Sequence, residues 1–97
     1  MNEIDGLTKK RDELLLELGQ LSELIAGSFF ARKMNGAPRF CLSRVQGGKQ
    51  RQTYIAAKHA DAVRRGARQH VRALEILSEL GQINLALIRK EAGGADD

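Results

Sequence analysis

Residues 29–55 read FFARKMNGAPRFCLSRVQGGKQRQTYI, and two turn dipeptides inside this stretch, Asn35-Gly36 and Gly47-Gly48, decide the fold. Each can supply the two positive φ angles of a two-residue hairpin turn. The stretches around them, 29–34, 39–46 and 49–55, then read as three strands. Closing the chain on Gly47-Gly48 pairs Gln46 with Lys49, Arg44 with Arg51, Leu42 with Thr53 and Phe40 with Ile55. Closing it on Asn35-Gly36 pairs Met34 with Ala37, which sets Ala31 against Phe40 and Phe29 against Leu42. Successive side chains alternate faces, so one face collects Phe29, Ala31, Phe40, Leu42, Thr53 and Ile55. The other collects Phe30, Arg32, Met34, Arg39, Cys41, Ser43, Gln50, Gln52 and Tyr54. The turn chemistry is independent of the apolar pattern, yet it yields one greasy face. That agreement predicts a three-stranded antiparallel meander.

Helical periods flank the meander. On the N-terminal side Ile4, Leu7, Leu14, Leu18, Leu21 and Ile25 keep a 3-4 spacing that only Arg11 interrupts, and Leu15 and Leu24 widen it. Gly27-Ser28 offers a left-handed stop, so the spacing predicts a first helix over 3–26. On the C-terminal side the period resumes and predicts a long helix over 57–91. Its first half carries a small-residue stripe, Ala60, Val63, Ala67 and Val71. Its second half carries two apolar stripes, Leu74-Leu77-Ile88 and Ala73-Ile76-Leu80-Ile83-Leu87. One can pack on the first helix or the sheet, and the other predicts a second copy of the chain, a homodimer. A compact monomer burying both stripes is the competing arrangement. The near copies Glu17-Leu18-Gly19-Gln20-Leu21 and Glu79-Leu80-Gly81-Gln82-Ile83 point either to close helix approach at the glycines or to chance likeness of leucine-rich helices. The expected class is α+β: helix, meander, long helix, with coiled-coil-like apolar stripes. Residues 1–92 read as one domain and 93–97 as a disordered tail.

Length and composition narrow the function. A chain of 97 residues with 4% aromatics builds its core from Leu, Ile and Ala and leaves little for a substrate cleft of its own. No unbroken apolar run is longer than Leu85–Ile88, which speaks against a membrane span or signal peptide. A single cysteine closes no intramolecular disulfide, so a cytoplasmic protein is expected.

The net charge of +4 is unevenly spread. Residues 27–72 hold eleven Lys/Arg and one acid, Asp61, while the segments on either side are each net acidic. Within the basic segment three groups stand out. Arg44, Lys49 and Arg51 crowd the Gly47-Gly48 hairpin tip, where Arg44 opposite Arg51 is a repulsive pair that a bound anion would relieve. Arg32 and Arg39 are cross-strand neighbours on the face carrying Phe30 and Tyr54, a combination suited to stacking bases and holding phosphates. A helix covering that face, and making it a second core, is the competing reading of the two aromatics. Arg64, Arg68 and Arg72 repeat every four residues and, with Arg65 and Lys58, form a basic strip on the long helix.

Gly27-Ser28, Leu42-Ser43-Arg44, Gly48-Lys49, Tyr54-Ile55 and the run from Glu79-Leu80 to Ile83-Asn84 resemble a small uncharacterised bacterial family. Its members share a leucine-rich helix, a basic strand region with a Gly-Lys turn, and a long helix. The resemblance implies this fold over roughly residues 21–90, and implies company with mobile-element genes. Typical members carry a Cys cluster between the first two strands. Here Met34-Asn35-Gly36-Ala37-Pro38 stands in its place, with Cys41 beyond it, so no metal role carries over.

Catalytic candidates are sparse. Cys41, His59 and His70 are the only soft or nucleophilic groups, and two histidines eleven residues apart on one helix are too distant to share a metal. The basic segment lacks the carboxylates that acid–base chemistry needs, and Gly47-Gly48-Lys49 lacks the spacing of a phosphate-binding loop. The expectation is therefore a non-enzymatic accessory protein of mobile-element or phage type, without metal or cofactor, that binds nucleic acid. Its basic surface comprises Arg32, Arg39, Arg44, Lys49, Arg51, Tyr54, Lys58, Arg64, Arg65, Arg68 and Arg72. The alternative is an interaction module or inhibitor that docks the same surface on an acidic protein or in the nucleic-acid channel of a nuclease complex.

Overall fold

The computed structural model describes residues 2–91, so the tail expected over 93–97 lies outside the described residues. The element order is helix α1 (Glu3–Gly19), strands β1 (Ser28–Met34), β2 (Ala37–Gln46) and β3 (Lys49–Ile55), a short 3-10 turn (Ala57–His59) and helix α2 (Ala60–Glu91). This is the expected α+β arrangement. The chain divides into two compact units. Among the described residues one comprises 2–22 and 72–91, the other 23–71, and the division falls within α2 between Val71 and Arg72.

The helical unit pairs α1 with the second half of α2. Asn2 caps α1, its side-chain oxygen accepting the Asp5 N–H at 2.8 Å. Leu14, Ile76, Leu80, Ile83 and Leu87 are buried together, with Ile4, Leu7, Leu18 and Leu21 packed against them. The stripe containing Ile76 is thus the one that meets α1. Ion pairs Glu3–Lys90 and Glu17–Arg72 sit at opposite ends of the pair, so the two helices run antiparallel. Leu74, Leu77 and Ile88, the other stripe, stay exposed.

One sequence expectation about α1 is corrected. The helix ends at Gly19 rather than at residue 26. Gln20 caps it, its N–H donating to the Glu17 and Leu18 carbonyls, and the chain then turns so that residues 23–25 can serve the other unit. Close helix approach at Gly19 and Gly81 is not found: nothing lies within 4 Å of a Cβ placed at either position.

In the helical unit Arg72 grips Glu17 in a two-pronged pair, Nε to Oε2 at 2.6 Å and Nη2 to Oε1 at 2.8 Å, and reaches Glu75 at 3.3 Å. The Arg72 hydrogen bond lowers the pKa of the Glu17 carboxyl, and Lys90 does the same for Glu3. A carboxylate depressed in the folded state adds stability above its unfolded pKa and loses it as pH falls through the folded value. Stability is therefore expected to decline as pH drops below the ordinary carboxylate range near 4.5. Thermal melts of Glu17→Gln should show a shallower decline over that window, and an unchanged slope would refute the assignment.

The sheet unit forms around the meander. Strand order is β1-β2-β3, and the register matches the turn-based reading, from Met34↔Ala37 and Phe29↔Leu42 to Arg44↔Arg51 and Gln46↔Lys49. Asn35 and Gly36 have φ of 56° and 78°, and Gly47 and Gly48 have 60° and 80°, so both dipeptides adopt the double positive φ that a twisted two-residue hairpin requires. Strands β1 and β2 each extend further than expected, with Pro38 paired to Lys33 inside β2.

The face carrying Phe29 packs on the first half of α2. Phe29 and Phe40 stack with centroids 5.9 Å apart, the Arg64 guanidinium sits 5.0 Å from the Phe29 centroid, and Leu42, Ala60 and Ala67 are buried. The segment after α1 docks on the same helix half. The Ile25 N–H donates to the Gly66 carbonyl at 2.9 Å, and the Glu23 N–H donates to Gln69 Oε1 at 2.9 Å. Gly27, at φ 141°, passes so close to β2 that a Cβ would stand 2.8 Å from the Ser43 carbonyl oxygen.

Candidate nucleic-acid interface

The division into units sorts the charge. Residues 23–71 contain ten of the sixteen Lys/Arg but only Glu23 and Asp61 as acids. Within this unit Arg64 pairs with Asp61 at 2.8 Å and Arg65 with Glu23 at 3.7 Å. Among the described residues Arg32, Lys33, Arg39, Arg44, Lys49, Arg51, Lys58 and Arg68 make no ion pair. Their charge is therefore available to a ligand at little competing cost.

The hairpin tip collects Arg44, Lys49 and Arg51 as the sequence suggests, with Arg44 and Arg51 direct cross-strand partners. The sheet face opposite the helix-packed one holds Phe30, Cys41 and Tyr54 in one cross-strand row, and Arg32 with Arg39 in the next. Tyr54 is 62% exposed, so a helix does not cover it, while Phe30 is half-buried with the Arg32 guanidinium 5.6 Å from its centroid. Cys41, between the two rings in register, is fully buried. A hollow of about 280 Å³ opens beside Arg39 and Tyr54, against Pro38 and Ala57. An exposed ring flanked by unpaired guanidinium groups can stack a base while the charges hold its phosphate.

The helix contribution differs from the expected strip. Arg64 and Arg68 line a shallow hollow of about 450 Å³ with Gly27, Ser28 and Phe29. Arg72 belongs to the helical unit and is held there by Glu17. Arg65 is exposed beside Glu23, and Lys58 lies in the 3-10 turn rather than on the helix. Sequence reasoning missed Ser28 and Phe29 as partners of the arginine pair. The only signal was the Gly27-Ser28 dipeptide, which reads equally well as a helix stop.

Other chemistries find no constellation here. Among the described residues no three His, Cys, Asp or Glu gather to hold a metal ion, and no helix is long and apolar enough to cross a membrane. His59 lies in the 3-10 turn and His70 in α2. No family model, curated protein or solved structure matches the chain.

Proposed function

We propose that the chain is a small nucleic-acid-binding accessory protein without catalytic activity, acting in the cytoplasm and belonging to the mobile-element-associated family its motifs resemble. The observation that carries this reading is the concentration of unpaired basic side chains in the sheet unit. The hairpin tip, the Arg32-Arg39 pair and, in the hollow beside Phe29, Arg68 each offer unpaired positive charge to phosphates, and Tyr54 offers a ring to a base. The exposed ring favours single strands, whose bases are free to stack. The proposal includes association of two copies through the exposed stripe of α2.

A fluorescence anisotropy titration with labelled single-stranded and duplex oligonucleotides tests it. With about six phosphates engaged, affinity should fall about 300-fold for single strands and about 2,000-fold for duplex between about 50 and about 200 mM salt. Absence of binding to either form at low salt overturns the reading. A protein partner retained from nuclease-treated lysate, together with that absence, selects docking on an acidic protein surface instead.

A further inference from the structure

The outer stripe of α2 is spaced as a palindrome. Leu77 and Leu85 lie four residues either side of Gly81, and Leu74 and Ile88 lie seven either side. At 100° per residue all four fall within about 40° of the Gly81 direction. Their exposures are 53% for Leu74 and Leu77, 49% for Leu85 and 62% for Ile88, so α1 leaves this band open. We propose that the band is covered by the same band of a second copy, with the two α2 helices antiparallel and the two-fold axis passing at Gly81. This rests on the dimerisation proposed above and adds the pairing: Leu74 against the partner's Ile88, Leu77 against the partner's Leu85, and Gly81 against its own copy.

Three observations select a second copy as the occupant. An isologous contact must be complementary to itself, and only a sequence symmetric about its centre lets every apolar residue meet another under an antiparallel two-fold. The band is also free of charge: Ser78 and Asn84 flank Gly81, so two identical faces meet without like charges opposed. At the margins the antiparallel arrangement sets unlike charges side by side. Arg89, which has no ion pair among the described residues, and Glu75 lie on the same side of the band and reach the same level to within about 3 Å once the partner helix is reversed. Finally, Gly81 is an exposed mid-helix glycine with nothing of its own chain within 4 Å of a Cβ. Glycine is a poor helix former there, and close passage of a partner backbone gives it a reason.

Cysteine scanning in the full chain tests the pairing, with the native chain as control because its lone Cys41 is buried. Under mild oxidation Gly81→Cys should yield a covalent dimer, and Leu74→Cys alone should not. A mixture of Leu74→Cys and Ile88→Cys chains should cross-link, and it leaves Gly81 intact in case a side chain there holds the helices apart. Light scattering should give a dimer mass for the native chain at about 100 μM, reduced to monomer by Leu77→Glu with an unchanged helical spectrum. A monomeric native chain overturns both dimerisation and pairing. A dimer that cross-links through Leu74→Cys alone, or through neither Gly81→Cys nor the mixture, overturns the pairing and leaves dimerisation standing.

Discussion

Replacing Arg44, Lys49 and Arg51 together with Ala is expected to weaken nucleic-acid binding about 30- to 100-fold at low salt and to lower the salt slope by about 2. These three side chains surround the Gly47-Gly48 tip, make no ion pair among the described residues, and have no Asp or Glu in the three strands around them. Their loss should leave the fold intact. The Arg44–Arg51 cross-strand pair is repulsive in the free protein, so the melting temperature should hold or rise slightly. Arg72→Ala provides the contrast. It removes one positive charge, from a group held by Glu17 and Glu75 in the helical unit, so stability should fall while affinity for an oligonucleotide stays put. Anisotropy titrations and thermal melts on both variants separate the outcomes. Equal binding by the triple variant and the native chain would remove the hairpin tip from the interface.

Gly66→Ala should cost about 1–3 kcal/mol, although alanine is the better helix former by about 1 kcal/mol. A Cβ at this position would stand 2.6 Å from the Glu23 carbonyl oxygen and 2.7 Å from the Ile25 side chain. The oxygen is backbone and cannot swing aside, and the Ile25 N–H is already bonded to the Gly66 carbonyl. Relief would therefore break the docking of residues 23–25 on α2. Gly6→Ala in α1, where nothing lies within 4 Å, should instead raise stability by up to about 1 kcal/mol. Urea denaturation of the two variants should give opposite signs. A Gly66→Ala chain as stable as the native one would mean that the docked segment yields freely.

The order and register of the meander, though not the starts of β1 and β2, were legible because their determinants are local. Asn35-Gly36 and Gly47-Gly48 impose positive φ at both turn positions, and a two-residue turn leaves one register open. The end of α1 was not legible. Leu21, Leu24 and Ile25 continue the helical spacing, but the Ile25 N–H donates to the Gly66 carbonyl and the Glu23 N–H to the Gln69 side chain in place of a further helical turn. Those partners are more than forty residues distant, and nothing near residue 20 announces them. Gly66 likewise reads as an ordinary weak spot in a helix until Glu23 and Ile25 are placed against it.

The basic surface divides along the same line. Sequence alone determined that positive charge is concentrated between residues 27 and 72, and which arginines oppose one another across the strands, because composition and turn geometry need no distant contact. Tertiary structure alone decided that Arg72 is held by Glu17 while Arg68 stays unpaired, and that Tyr54 is open while the Phe29 face is packed. An ion pair is set by which side chains the fold brings within a few ångströms. Charge along a chain does not contain that information, so only the packing separates the arginines that hold the fold from those that stay unpaired.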